Sequence, residues 1–111
     1  MSDTRADLLE LLESQYRGFG WEVERAEDGT LRAAGPGGVT WIGAVVVAED
    51  LTSGDLEARL PALSRERMPK GGELCPLDLM PDPECEADLR ALLDRLDIRR
   101  PHVSLYSLRA T

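Results

Sequence analysis

The side chains that can act as nucleophiles, bases or metal ligands are few: Cys75, Cys85, His102, the single lysine Lys70 and a surplus of carboxylates. The two cysteines bracket a proline-rich stretch and are expected as reduced thiols in a cytosolic protein. A zinc site needs about four closely spaced ligands, and one histidine with two distant cysteines does not supply them. Cys85 follows the Asp82-Pro83 step that announces a helix, so the helix dipole is expected to favour its thiolate. That leaves a small thiol-dependent enzyme as one reading. His102 opens a strand directly after Pro101, and no Gly-x-Ser-x-Gly elbow accompanies it to build a serine triad. Glu22 and Glu24 share a strand face without a third acid converging on them. The Gly35-Pro36-Gly37-Gly38 and Gly71-Gly72 loops lead into strands, whereas phosphate cradles open onto helices. No catalytic residue, cofactor or metal is therefore assigned.

The elements that must position these groups follow from the hydrophobic pattern. Residues 39–48, Val-Thr-Trp-Ile-Gly-Ala-Val-Val-Val-Ala, carry no charge in a chain that is 31% charged, and both faces of the run are apolar. That pattern predicts a central strand covered on both sides, ended by Glu49 and Asp50 where loop takes over. Leu8, Leu9, Leu12 and Tyr16 recur at helical spacing and predict an amphipathic helix over residues 3–17. Residues 21–26 alternate as a half-exposed strand, and Glu27-Asp28-Gly29-Thr30 supplies a hairpin turn into a second strand over residues 30–34. A helix capped by Thr52 or Ser53 then buries Leu56, Leu60 and Leu63, with a kink or break expected at Pro61. Residues 73–80 read as a strand that Pro76 confines to an edge or a bulge. Leu89, Leu92, Leu93 and Leu96 mark a second helix, and residues 102–108 a closing strand. The 111 residues therefore form one α/β domain (α+β being the alternative) with a mixed sheet, an amino-terminal helix, a three-strand meander and carboxyl-terminal helix-strand units.

That element order resembles the restriction-endonuclease-like nuclease core, a helix and a meander followed by a strand-bearing crossover. Such nucleases hold a divalent metal with an Asp near the second strand and Glu-x-Lys or Asp-x-Lys on the third. Asp28 lies near the first of these positions. The third strand, Thr40-Trp41-Ile42-Gly43-Ala44-Val45, carries neither acid nor lysine, so the resemblance implies a fold and at most a degenerate nuclease-like activity.

Charge narrows the partners. A net charge of −8 opposes the counterion release that drives binding to DNA or RNA, and it disfavours anionic membranes equally. No stretch approaches the ~20 apolar residues of a membrane span, and the first seven residues lack the basic and apolar regions of a secretory signal. The expectation is a cytoplasmic, non-catalytic binding or accessory domain of bacterial type, working through protein-protein contacts. The alternatives are an acidic inhibitor or immunity-type protein for a basic partner, or one of the small enzymes above. Aromatic and pre-extended apolar residues nominate the contact surface: Trp21, Tyr106, and Pro76, Leu77, Leu79 and Met80 of the proline-rich segment. A homodimer paired through the closing strand or that segment is the expected assembly.

Overall fold

The computed structural model describes residues 4–26, 29–68, 71–98 and 102–105. Helix α1 (Thr4–Gly18) buries Leu8, Leu9, Leu12 and Tyr16, the stripe its sequence spacing marks. The chain then runs β1 (Glu22–Arg25), β2 (Leu31–Ala34) and β3 (Thr40–Val46) as an antiparallel meander. Gly29 makes the first hairpin at φ 84°, a left-handed conformation that glycine adopts without a Cβ clash. Two short helices follow, α2 (Ala48–Thr52) and α3 (Asp55–Leu63), then β4 (Leu77–Pro81), α4 (Glu86–Arg95) and β5 (Val103–Leu105). The sheet order is β1-β2-β3-β4-β5, with β4 parallel to both β3 and β5. This is the mixed α/β sheet expected from the sequence.

β3 is the middle strand, and its two faces feed two cores. Ile42, Ala44 and Val46 join Leu77 and Leu79 beneath α3 and α4, packed by Leu56, Leu60, Leu63, Leu89, Leu92 and Leu93. Val45 and Met80 turn the other way, to α1, with Leu31 and Ala33 of β2. The molecule is thus three layers, α1 on one face and α2, α3 and α4 on the other. Burial of this kind contributes about 25 cal/mol per Å² of apolar surface, and it explains why a strand without charge sits where it does.

Three local expectations are corrected. The acidic pair after β3 starts a helix instead of a loop: Asp50 is buried, and its carboxylate accepts from the Val47 amide at 2.9 Å and from Arg5 at 2.7 Å. That bond satisfies an amide at the start of α2 that has no intrahelical partner. Pro61 lies within α3 near its end, so only one turn loses a bond. The break falls earlier, at Gly54 (φ 76°), and Ser53 Oγ accepts from the Asp55 amide at 3.2 Å. β4 is an interior strand, not an edge. Pro76 precedes it and Pro81 ends it, so the residues between keep their amides for both ladders; the Pro76 carbonyl accepts from Ile42 at 2.9 Å, while the Leu77 amide donates to His102 at 2.8 Å.

Candidate functional site

One end of the α1 face carries a run of aromatic rings. Tyr16 closes the last turn of α1, Trp21 leads into β1 and Trp41 stands on β3, in register with Ala33 of β2. Trp21 stacks on Tyr16 with ring centroids 5.7 Å apart and on Trp41 at 5.2 Å. Phe19, in the turn between α1 and β1, tilts against Trp21 at 5.0 Å and is 55% exposed. Gly35 lets the loop after β2 lie across both indoles, because a Cβ there would stand 3.2 Å from Trp41 Nε1 and 3.4 Å from Trp21 Cε2. The result is a cleft of about 330 Å³ between Phe19, Gly20 and Trp21 on one side and Ala34, Gly35 and Pro36 on the other.

Helix α1 also carries an ion-pair cluster. Glu13 on α1 accepts from Arg17 at 3.0 Å and from Arg25 at 2.9 Å, and the two guanidiniums hold its carboxyl below the usual range. Both arginines are thereby occupied with Glu13, while Glu22 and Glu24 are exposed on the opposite face of the sheet, where they line a separate cavity with Arg32 and Thr40. A preformed aromatic shelf can take an apolar anchor, or a lysine or arginine over a ring face.

Beneath the same helix lies a buried polar pair. Tyr16 Oη donates to Asp78 Oδ2 at 2.7 Å, and Asp78 is 2% exposed on β4. Burial pushes the Asp78 carboxyl up, and the Tyr16 hydroxyl opposes that shift. Gly43, beside Asp78 in the parallel register, makes the contact sterically feasible: a Cβ there would meet Leu12 Cδ2 at 2.7 Å and the Tyr16 hydroxyl at 2.9 Å. Sequence reading missed this pair because Asp78 sits among prolines that suggest an exposed segment. The alternation Leu77-Asp78-Leu79 is the signal that assigns the acid to a strand face of its own.

The chemistry-bearing residues do not converge. Cys75 and Cys85 are both free and buried. The dipole expectation for Cys85 is reversed: burial pushes its thiol up, and the carboxylates of Asp82, Asp88, Glu84 and Asp50 push it further. Cys75 is likewise raised, by burial and then by Glu66. His102 Nε2 is engaged with the Ser64 carbonyl at 2.8 Å, where neither thiol is its partner. Among the described residues no cluster of three or more His, Cys, Asp or Glu could hold a metal ion. Asp28 and Lys70 lie outside the described residues. Where a nuclease core would place its second acid and lysine, β3 presents Ile42, Gly43 and Ala44, all buried.

Of the nominated contact residues, Trp21 belongs to the aromatic end and is half-buried. Leu77 and Leu79 are fully enclosed and Met80 is 2% exposed, so these three are core side chains, withdrawn from any contact surface. Pro76 is half-buried at the head of the same strand, and Tyr106 lies outside the described residues. Phe19 is the exposed ring that periodicity could not find, since it sits in a two-glycine turn where no helical or strand pattern runs. No family model matches this chain, and neither the curated proteins nor the solved structures contain a match to it.

Proposed function

We propose that this chain is a cytoplasmic protein-binding domain without catalysis of its own, that its contact surface is the aromatic end, and that its partner is a basic protein. The observation that carries the proposal is Phe19, a large apolar ring left 55% exposed while it rests on an ordered stack of two tryptophans and a tyrosine. Rigid aromatics that lose little side-chain entropy on contact are the usual anchors of interfaces. The net charge of −8 and the aromatic faces favour a cationic partner, and the charge disfavours nucleic acid. No described helix is long and apolar enough to cross a membrane, which accords with a cytoplasmic setting. The thiol-enzyme reading is weakened by the raised, buried thiols, and the nuclease-like reading by the apolar third strand.

The test is affinity purification from the native host with the wild-type chain and with Phe19→Ser and Leu11→Ser in parallel. Leu11 is the other large exposed apolar residue, at 51%, and lies outside the aromatic cleft. The expected result is a basic protein retained by wild type and Leu11→Ser and lost with Phe19→Ser. Retention by all three baits would overturn the assignment of the surface.

A further inference from the structure

Tyr16 is the joint between the interior of the sheet and the aromatic end. Its hydroxyl donates to Asp78 Oδ2 on β4 at 2.7 Å, and its ring stacks on Trp21 at 5.7 Å. Its carbonyl accepts from the amides of Phe19 at 3.1 Å and Trp21 at 3.3 Å, so the turn that carries both rings hangs on the same residue. Trp21 in turn meets Trp41 at 5.2 Å and Phe19 at 5.0 Å. A single side chain therefore connects a buried carboxyl to the exposed ring of Phe19.

Asp78 is the one ionisable residue of its strand, and the charges of the elements packed on it point elsewhere. Its ladder neighbours β3 and, among the described residues, β5 carry no ionisable side chain. Helix α1 turns Leu8, Leu9, Leu12 and Tyr16 toward the sheet. Of its other ionisable residues, Asp7, Glu10 and Arg17 are exposed, Glu13 pairs with Arg17 and Arg25, and Arg5 pairs with Asp50. The cover over Asp78 is α1 itself, because Leu12 and Tyr16 fill the space above Gly43, its partner in the β3 register. Burial under that cover raises the affinity of the carboxyl for a proton, against the pull of the Tyr16 hydroxyl. By linkage, ionising Asp78 weakens the cover by the same factor. A buried carboxylate draws water in, and the last turn of α1 is what lies in the way.

We propose that Asp78 is a proton-operated latch on the aromatic end: protonated, it keeps the last turn of α1 seated and the rings stacked; ionised, it unseats Tyr16 and loosens the surface a partner meets. The latch rests on the reading of that end as the binding surface and gives it a direction: binding takes up a proton at Asp78 and weakens as pH rises. Trp21 and Trp41 are the two tryptophans of the chain, so their indole N–H resonances and fluorescence report the stack in the free protein. From pH 4 to 8 both signals are expected to titrate with the midpoint of the Asp78 carboxyl carbon, a comparison within wild type that needs no variant. Asp78→Asn should abolish that transition, with circular dichroism checking its fold. Indoles that do not respond at the Asp78 midpoint would overturn the latch. With the basic partner in hand, wild-type affinity relative to Asp78→Asn should fall by about fivefold or more between pH 5 and pH 8 at constant ionic strength. A partner lost with Phe19→Ser whose relative affinity ignores pH would overturn the latch and leave the binding surface standing. Indoles that follow Asp78 while Phe19→Ser still retains the partner would support the linkage within the fold and overturn the surface.

Discussion

Removing one oxygen from Tyr16 tests how α1 is held on the sheet. Tyr16→Phe keeps the ring, its packing on Leu12 and its stack with Trp21, and deletes the donor 2.7 Å from the buried Asp78 carboxylate. Hydrogen bonds to charged groups are worth about 1.5–3 kcal/mol and neutral ones about 0.5–1.5. The cost is therefore expected at about 1.5–3 kcal/mol at a pH where the carboxyl is ionised, and nearer the neutral figure where it is protonated. At about 4 °C per kcal/mol for a domain of this size, the former lowers the melting temperature by about 6–12 °C. Asp78→Asn keeps an acceptor and removes the charge, so in that background Tyr16→Phe should cost about 0.5–1.5 kcal/mol. The pH dependence has a definite sign. Burial raises the native Asp78 value, so the folded state holds this proton more tightly than the unfolded chain does. The resulting stabilisation is full below the ordinary unfolded carboxyl value and is lost as pH rises through the raised native one. Asp78→Asn should flatten that slope, and wild type should fall behind the variant as pH increases. Urea unfolding of the four proteins of this cycle, from pH 3 to 8, reads all of these quantities. Equal costs for Tyr16→Phe in both backgrounds and at every pH would refute the buried charged pair.

Gly43→Ala forces a Cβ to within 2.7 Å of Leu12 and 2.9 Å of the Tyr16 hydroxyl, and should cost about 1–3 kcal/mol by thermal melting. Val46→Asp puts a carboxylate into a fully enclosed site of the middle strand, at a cost of several kcal/mol against a total of about 5–15, so its circular dichroism should be that of an unfolded chain at 25 °C. Native Cys75 and Cys85 should react with a thiol reagent at pH 8 far more slowly than in urea; equal rates would contradict their burial and raised values. Phe19→Ser should lower the unfolding free energy by about 0.5–1.5 kcal/mol, the worth of its contact with Trp21, and leave the chain folded.

The uncharged run around β3 announced a strand buried on both faces, and the α1 stripe at Leu8, Leu12 and Tyr16 announced the helix that covers one of them. Both signals are strong because burial of a whole face leaves a period in the sequence. The proline-rich segment misled for a physical reason: prolines at the two ends of a strand cost it no internal amide, yet in composition they resemble prolines within a loop. Asp50 misled likewise, since a carboxylate after a strand marks equally a solvated loop and a helix cap. The aromatic end was half legible. Trp21 stood out as a rare residue, but its stacking on Trp41 and Tyr16 depends on tertiary register, and Phe19 acquires its exposure only from the turn between α1 and β1.

The central proposal is that the aromatic end binds a basic protein, and calorimetric titration of the recovered partner with wild type and Phe19→Ser tests it most directly. The account predicts binding that weakens as salt rises, and a loss of about tenfold or more for Phe19→Ser with the fold intact by circular dichroism. Equal affinities for the two proteins, or binding indifferent to salt, would contradict it.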